Sequence, residues 1–183
     1  MSDDSIWGAG EILFSAPKVL AVELNSNGDN FSAVFSDAQL TLGSDDDTLC
    51  LRQAVAIRVP INVPEGQKLV GYRQQLSFGV TRTVGIHALL VAELAGTVKV
   101  VEYDFVAPGG DAGDPISIPP NGFDSPVHVF SAQGVEIADG GLIGPVPDYE
   151  ATITLMIRRR SAAETGILEL QGLDVAPVFV PVT

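Results

Sequence analysis

Seven oxygen-bearing side chains in three turn-like stretches are the residues whose types best suit chemistry. Asp45, Asp46 and Asp47 form one carboxylate run, Asp29 and Asn30 lie in a second stretch, and Asp111 and Asp114 in a third. A hard cation such as calcium needs several oxygen ligands at once, so Asp/Asn clusters on neighbouring loops are the right donors for it. These seven are therefore the expected metal ligands, and calcium is the expected cofactor, provided the loops converge. Their spacing matches neither an EF-hand loop nor a glycine-aspartate repeat.

The remaining chemical groups point elsewhere. His87 and His128 are the only histidines, each within an apolar segment and without a second histidine at i+2 or i+4, so both are expected to be structural. Cys50 sits between Leu49 and Leu51 and is expected to be a plain buried thiol. Arg158-Arg159-Arg160 is the only basic cluster. On a strand adjacent side chains take opposite faces, so it is not a three-pronged patch; it is expected to end the strand and pair with local acids. Trp7, Tyr72, Tyr103 and Tyr149 are candidate sugar platforms. No Gly-x-Ser-x-Gly elbow, phosphate-binding loop or His-Glu-x-x-His occurs, and no catalytic residue is assigned. A hydrolase assembled from distant carboxylates is the third functional expectation.

Charge narrows the partners. The chain carries 23 acidic and 10 basic residues, a formal net charge of −13. Such a surface repels phosphate backbones and anionic lipid, so no nucleic-acid partner is expected. No apolar stretch approaches the roughly 18–20 residues that span a bilayer, and no membrane insertion is expected. The single cysteine fits a reducing compartment such as the cytoplasm. The acidic start Met1-Ser2-Asp3-Asp4-Ser5 does not resemble a signal peptide.

The elements that must position these groups are strands. Alternation dominates and the helical period is nearly absent. Ile153, Leu155 and Ile157 share one face, with Thr152, Thr154 and Arg158 on the other. Leu49, Leu51, Val55, Ile57 and Val59 share a parity that only Gln53 interrupts, and Pro60 and Pro64 limit the ladder bonds of residues 49–63, so that the second half of this stretch is expected to be an edge or a bend. Further strands are expected at residues 18–24, 31–35, 38–42, 69–79, 85–94, 97–106, 126–130, 166–173 and 178–182. Residues 86–94 also admit a short helix, but strand signals on both sides favour a strand. The apolar parity switches between Val100 and Val101, which predicts a bulge or burial of both faces.

Many short strands joined by Gly/Asp/Pro turns predict an all-β fold, an antiparallel two-sheet sandwich of jelly-roll-like type. Residues 108–148 are dense in Gly, Pro and Asp and are expected to form long loops around one or two short strands. The expected organisation is an N-terminal arm, 1–17, and a single sandwich domain, 18–183. Both termini are apolar, and such ends are expected to be tied down as sheet strands or, failing that, to add a strand to a neighbouring subunit.

Cys50-Leu51-Arg52, Val59-Pro60, Pro64-Glu65-Gly66 and Gly71-Tyr72-Arg73 run from a cysteine through alternating apolar residues to a Pro-x-Gly turn. In this the stretch from Cys50 to Thr81 resembles a family of uncharacterised secreted fungal and bacterial β domains. The resemblance implies a β-sandwich and no particular activity; here Cys50 has no second cysteine to pair with.

The first functional expectation is a non-enzymatic structural or assembly module, a homo-oligomer or the partner of another protein, joined through edge strands or terminal arms. The second is a calcium-dependent sandwich that binds a ligand such as carbohydrate.

Overall fold

The computed structural model describes residues 5–16, 21–43, 47–82, 85–103, 127–133, 141–142 and 145–182. They form strands β1 (Glu11–Ala16), β2 (Ala21–Asn27), β3 (Asn30–Ser36), β4 (Gln39–Leu42), β5 (Cys50–Val59) and β6 (Gln67–Arg82). These are followed by β7 (Ile86–Leu94), β8 (Thr97–Tyr103), β9 (Val127–Gln133), β10 (Tyr149–Arg159) and β11 (Gly166–Pro181). The expected all-β sandwich is what the chain adopts. One sheet has the order β1-β5-β10-β7-β8; the other runs β2-β3-β11-β6-β9, with β4 also on β11. All pairings are antiparallel. The late strands β10 and β11 insert centrally between early ones, the interleaved order of a jelly-roll-like sandwich.

Alternation sets which side chains meet between the sheets. Ile57, Leu90, Ile153 and Leu155 point in from the first sheet, and Phe31, Leu76, Phe78 and Leu170 from the second; all are buried in one core. Each such side chain contributes about 1.5–3 kcal/mol by leaving water. Gln53, the polar exception on its strand, is buried among them at 3% exposure.

Both apolar ends serve the fold itself. Trp7 bridges Ile61, donates its indole N–H to the Asp29 carbonyl at 2.9 Å, and packs on Phe31, Tyr72 and Tyr149. At the other end Val178–Pro181 continues β11 along β6 as far as Gln67. The expected strands at 166–173 and 178–182 are thus one 16-residue strand, carried across Pro177 with register shifts at Leu170/Gly172 and Val178/Phe179. Among the described residues β11 past Val175 no longer pairs β3 and pairs β6 alone, so the missing Pro177 N–H is tolerated.

Several expectations need correction. The 86–94 segment is the strand β7, but the parity switch at Val100/Val101 is neither a bulge nor two-sided burial. β8 pairs β7 in unbroken register and leaves Val98 and Val100 exposed at a sheet edge. β5 stops at Val59, just before Pro60, and its second half is not an edge, since β1 and β10 flank it. Cys50 is exposed, because it opens β5 on the outward parity shared by Arg52 and Ala54. Arg159 is buried. It donates to the backbone carbonyls of Gly43, Thr48, Ala162 and Glu164 at 2.6–3.0 Å, tying the β4–β5 and β10–β11 connections together. The Glu164 carboxylate accepts the N–H groups of Arg160 and Ser161.

Candidate functional site: the outer face of the first sheet

The two sheets differ on their solvent sides. The second sheet turns out Glu23, Asn25, Ser32, Asp174, Arg73 and Gln75 beside the exposed Val34, a mainly polar surface. In the first sheet the register builds rows that cross all five strands. One row reads Phe14, Ala56, Thr152, Glu93, Val98; the next reads Ala16, Ala54, Thr154, Val91, Val100. Arg52, Met156, Leu89 and Glu102 follow. Glu93 is the only charge in the first two rows.

Among the described residues strands β1 and β8 are the two edges of this sheet. Among the described residues eight large apolar side chains are exposed, and five of them lie on these two strands: Ile12, Leu13 and Phe14, then Val98 and Val100. Phe14 is 48% exposed, Val98 57% and Val100 59%. The β1 edge is interrupted by a register shift between Ile12 and Phe14, whereas β8 is regular. Such a shift blunts an edge against further pairing.

Charge collects at the two ends of this face. At one end Arg58 lies 2.8 Å from Glu150, 3.3 Å from Glu11 and 3.9 Å from Asp148. The hydrogen bond to Glu150 raises the Arg58 pKa. At the other end lie Arg52, Arg158 and Glu102, with His87 buried behind Glu102 at 2.7 Å. His87 thus joins β7 to β8 through Glu102. The backbone of His128 lies in β9 opposite Phe78.

The expected metal ligands are distributed as follows. Asp29 and Asn30 close the β2–β3 hairpin, beyond the Phe31–Val175 pair. Asp47 lies past β4, whose last pair is Leu42–Gly166. These pairs are nine residues apart along β11, so the two turns sit at opposite ends of the sandwich, roughly 30 Å apart. Asp45, Asp46, Asp111 and Asp114 lie outside the described residues. Among the described residues no three His, Cys, Asp or Glu side chains group as a metal site.

Nor do the expected sugar platforms reach the surface. Trp7, Tyr72, Tyr103 and Tyr149 are all buried. Trp7, Tyr72 and Tyr149 form an aromatic seam between the sheets, with the Tyr149 hydroxyl donating to Gln74 Oε1 at 2.6 Å. Burial lifts the Tyr72 pKa to about 12, with Asp148 adding to the effect, and raises that of Tyr149. Tyr103 is raised by burial and lies under the Arg82 guanidinium at 5.6 Å. Sequence reasoning missed the apolar outer face altogether. Its one visible signal was the pair Val98 and Val100 on the wrong parity for the core.

Fold and surface together define the class: an antiparallel two-sheet β-sandwich with one apolar outer face. No protein-family description matches the chain, and no curated protein does. Among solved structures it is similar to TmCBM61, determined in complex with β-1,4-galactotriose. The TM-score is 0.34 at 11% identity, over 97% of this chain and 90% of that one. A likeness of this degree leaves function to be argued from the chain's own surfaces. Among the described residues no helix is long and apolar enough to cross a membrane.

Proposed function

We propose that this chain is a non-enzymatic binding module that docks a protein partner on the outer face of its first sheet. The observation that carries this reading is the contrast between the two outer faces. One is mainly polar, with Val34 its one large exposed apolar side chain among the described residues; the other presents rows of Ala, Thr, Val, Leu and Met with exposed aliphatic groups at its edge strands. Contiguous apolar surface of this kind marks interaction sites. The terminal arms are occupied within the fold, which leaves the face and its edges to make the contact.

The test is photo-crosslinking inside cells from a benzoylphenylalanine placed at Val100 or, as a control, at Gln75 on the polar face. Adducts are expected from position 100 and not from 75. Equal yields from the two positions, or none from either, would sink the reading.

Carbohydrate is the second reading, at the same face. Phe14 is exposed there on one row with the Thr152 hydroxyl, an aromatic surface for sugar C–H groups beside a hydrogen-bonding partner. Calorimetric titration with β-1,4-galacto-oligosaccharides, with calcium and then with chelator, tests it. Heat that Phe14→Ala abolishes supports a sugar site, and loss of that heat in chelator alone supports a calcium requirement. No heat in either condition rejects both for this glycan class.

A further inference from the structure

We infer that the protein partner of this face is basic: a polypeptide that sets lysine or arginine side chains beside an apolar stretch. The cations lie over the corner formed by Glu93 and Glu150, and the apolar groups over the rows that follow. The inference rests on the docking reading just given and adds the chemistry of the partner.

Its basis is where the register puts carboxylates. Glu93 and Glu150 are exposed on the outer face, on the adjacent strands β7 and β10. Glu93 stands opposite Thr152, and Glu150 is the neighbouring outward residue along β10. The two carboxylate residues are therefore diagonal neighbours, roughly 7–8 Å apart. Across the strands Glu93 meets Thr152 and Val98, neither of which carries charge. Glu11 and Asp148 lie at the same end and, with Glu150, surround Arg58. Among the described residues this end of the outer face thus sets Glu11, Asp148, Glu150 and Glu93 against the single guanidinium of Arg58. Three of the four already share that cation. The next row is uncharged, with Ala54, Thr154, Val91 and Val100, and beyond it Met156 and Leu89 lie between Arg52 and Glu102.

Charge decides the sign of the partner. The whole chain carries a formal −13, so a second copy brings the same sign and is repelled as it approaches, whereas a basic chain is steered in. On contact the partner's cations come to lie beside Val98 and the apolar rows. Water is displaced there, and opposite charges attract more strongly than in open solvent.

The test is fluorescence anisotropy of labelled peptides titrated with the full chain. The probe is a synthetic extended peptide that alternates threonine with a contact face of two lysines followed by three leucines. At about nine residues it spans roughly 30 Å, enough to cover the face along its strands. Two counterparts replace the lysines with glutamates or the leucines with serines. The lysine–leucine peptide is expected to bind, the serine form roughly tenfold more weakly, and the glutamate form not measurably. Glu93→Gln should weaken binding roughly twofold to fivefold and reduce its dependence on salt. Val98→Ser with Val100→Ser should weaken it roughly tenfold. Glu23→Gln removes the same charge from the polar face and should change nothing. Circular dichroism and urea unfolding confirm that every variant is folded. A parent that binds no peptide, or takes the glutamate form as well as the lysine form, overturns the inference. So does an effect of Glu23→Gln equal to that of Glu93→Gln, or indifference to the valine changes. Failure of the docking reading is read separately. Adducts from position 100 to an acidic protein or to a second copy keep the docking face and remove only the basic partner, whereas equal or absent adducts remove the face itself.

Discussion

Arg159 illustrates how much one side chain holds at the level of single residues. Its buried guanidinium donates to four backbone carbonyls from two connections. Replacing it with Met leaves those carbonyls without their donor, and a loss of about 3 kcal/mol or more is expected in urea unfolding. Lys is not expected to restore it, since an ammonium lacks the planar fork that reaches several acceptors at once. Tyr149→Phe removes the hydroxyl bonded to Gln74 and should cost about 1–3 kcal/mol, because Gln74 Oε1 stays buried without a donor. Adding Gln74→Leu removes that orphan, so the double variant is expected to recover part of the loss. Cys50, being exposed, should react with a thiol reagent in the folded protein without denaturant.

Elements show what register adds to composition. β6 and β11 pair along almost their whole length and form the axis of the second sheet. A short bridge at Leu142 docks on β6, exchanging both hydrogen bonds with Leu69 at 2.8 and 2.9 Å. Gly141 makes this approach possible. It adopts a positive φ of 79°, and a Cβ there would lie 2.9 Å from the Leu69 carbonyl oxygen. Gly141→Ala is therefore expected to lose about 1–3 kcal/mol, read as a lower urea midpoint. Selective loss of hydrogen-exchange protection at Leu69 and Leu142 would locate the damage at this bridge.

For the whole molecule, the aromatic seam couples the two sheets to pH. Tyr72 comes from the second sheet and Tyr149 from the first, and both hold their protons more tightly than an ordinary phenol. An unfolded tyrosine releases its proton near pH 10, about two units below the folded Tyr72. Between about pH 10 and pH 12 the folded chain binds more protons than the unfolded one, so stability falls as pH rises through that window. Below it the contribution is fully present. Each tyrosine adds a slope of up to about 1.4 kcal/mol per pH unit, and Tyr72→Phe should flatten the alkaline decline in urea midpoint. A decline unchanged in that variant would remove Tyr72 from the account.

The sequence by itself determined the strand content, most strand positions and the inward faces. Strict alternation in Thr152–Arg158 leaves only one way to bury Ile153, Leu155 and Ile157. It determined too that Arg158, Arg159 and Arg160 could not act as one patch. Pairing, and everything that follows from it, belonged to tertiary structure. The buried tyrosines were invisible because an aromatic residue reads alike as platform or as core until a facing sheet is present. Asp29 and Asp47 read as potential neighbours until β11 placed their turns at opposite ends. The apolar face arises only when β1, β5, β10, β7 and β8, distant in sequence, align their outward residues in rows. Alternation fixes which residues share a side of one strand, but only the hydrogen-bonded register between strands decides which of them become a surface.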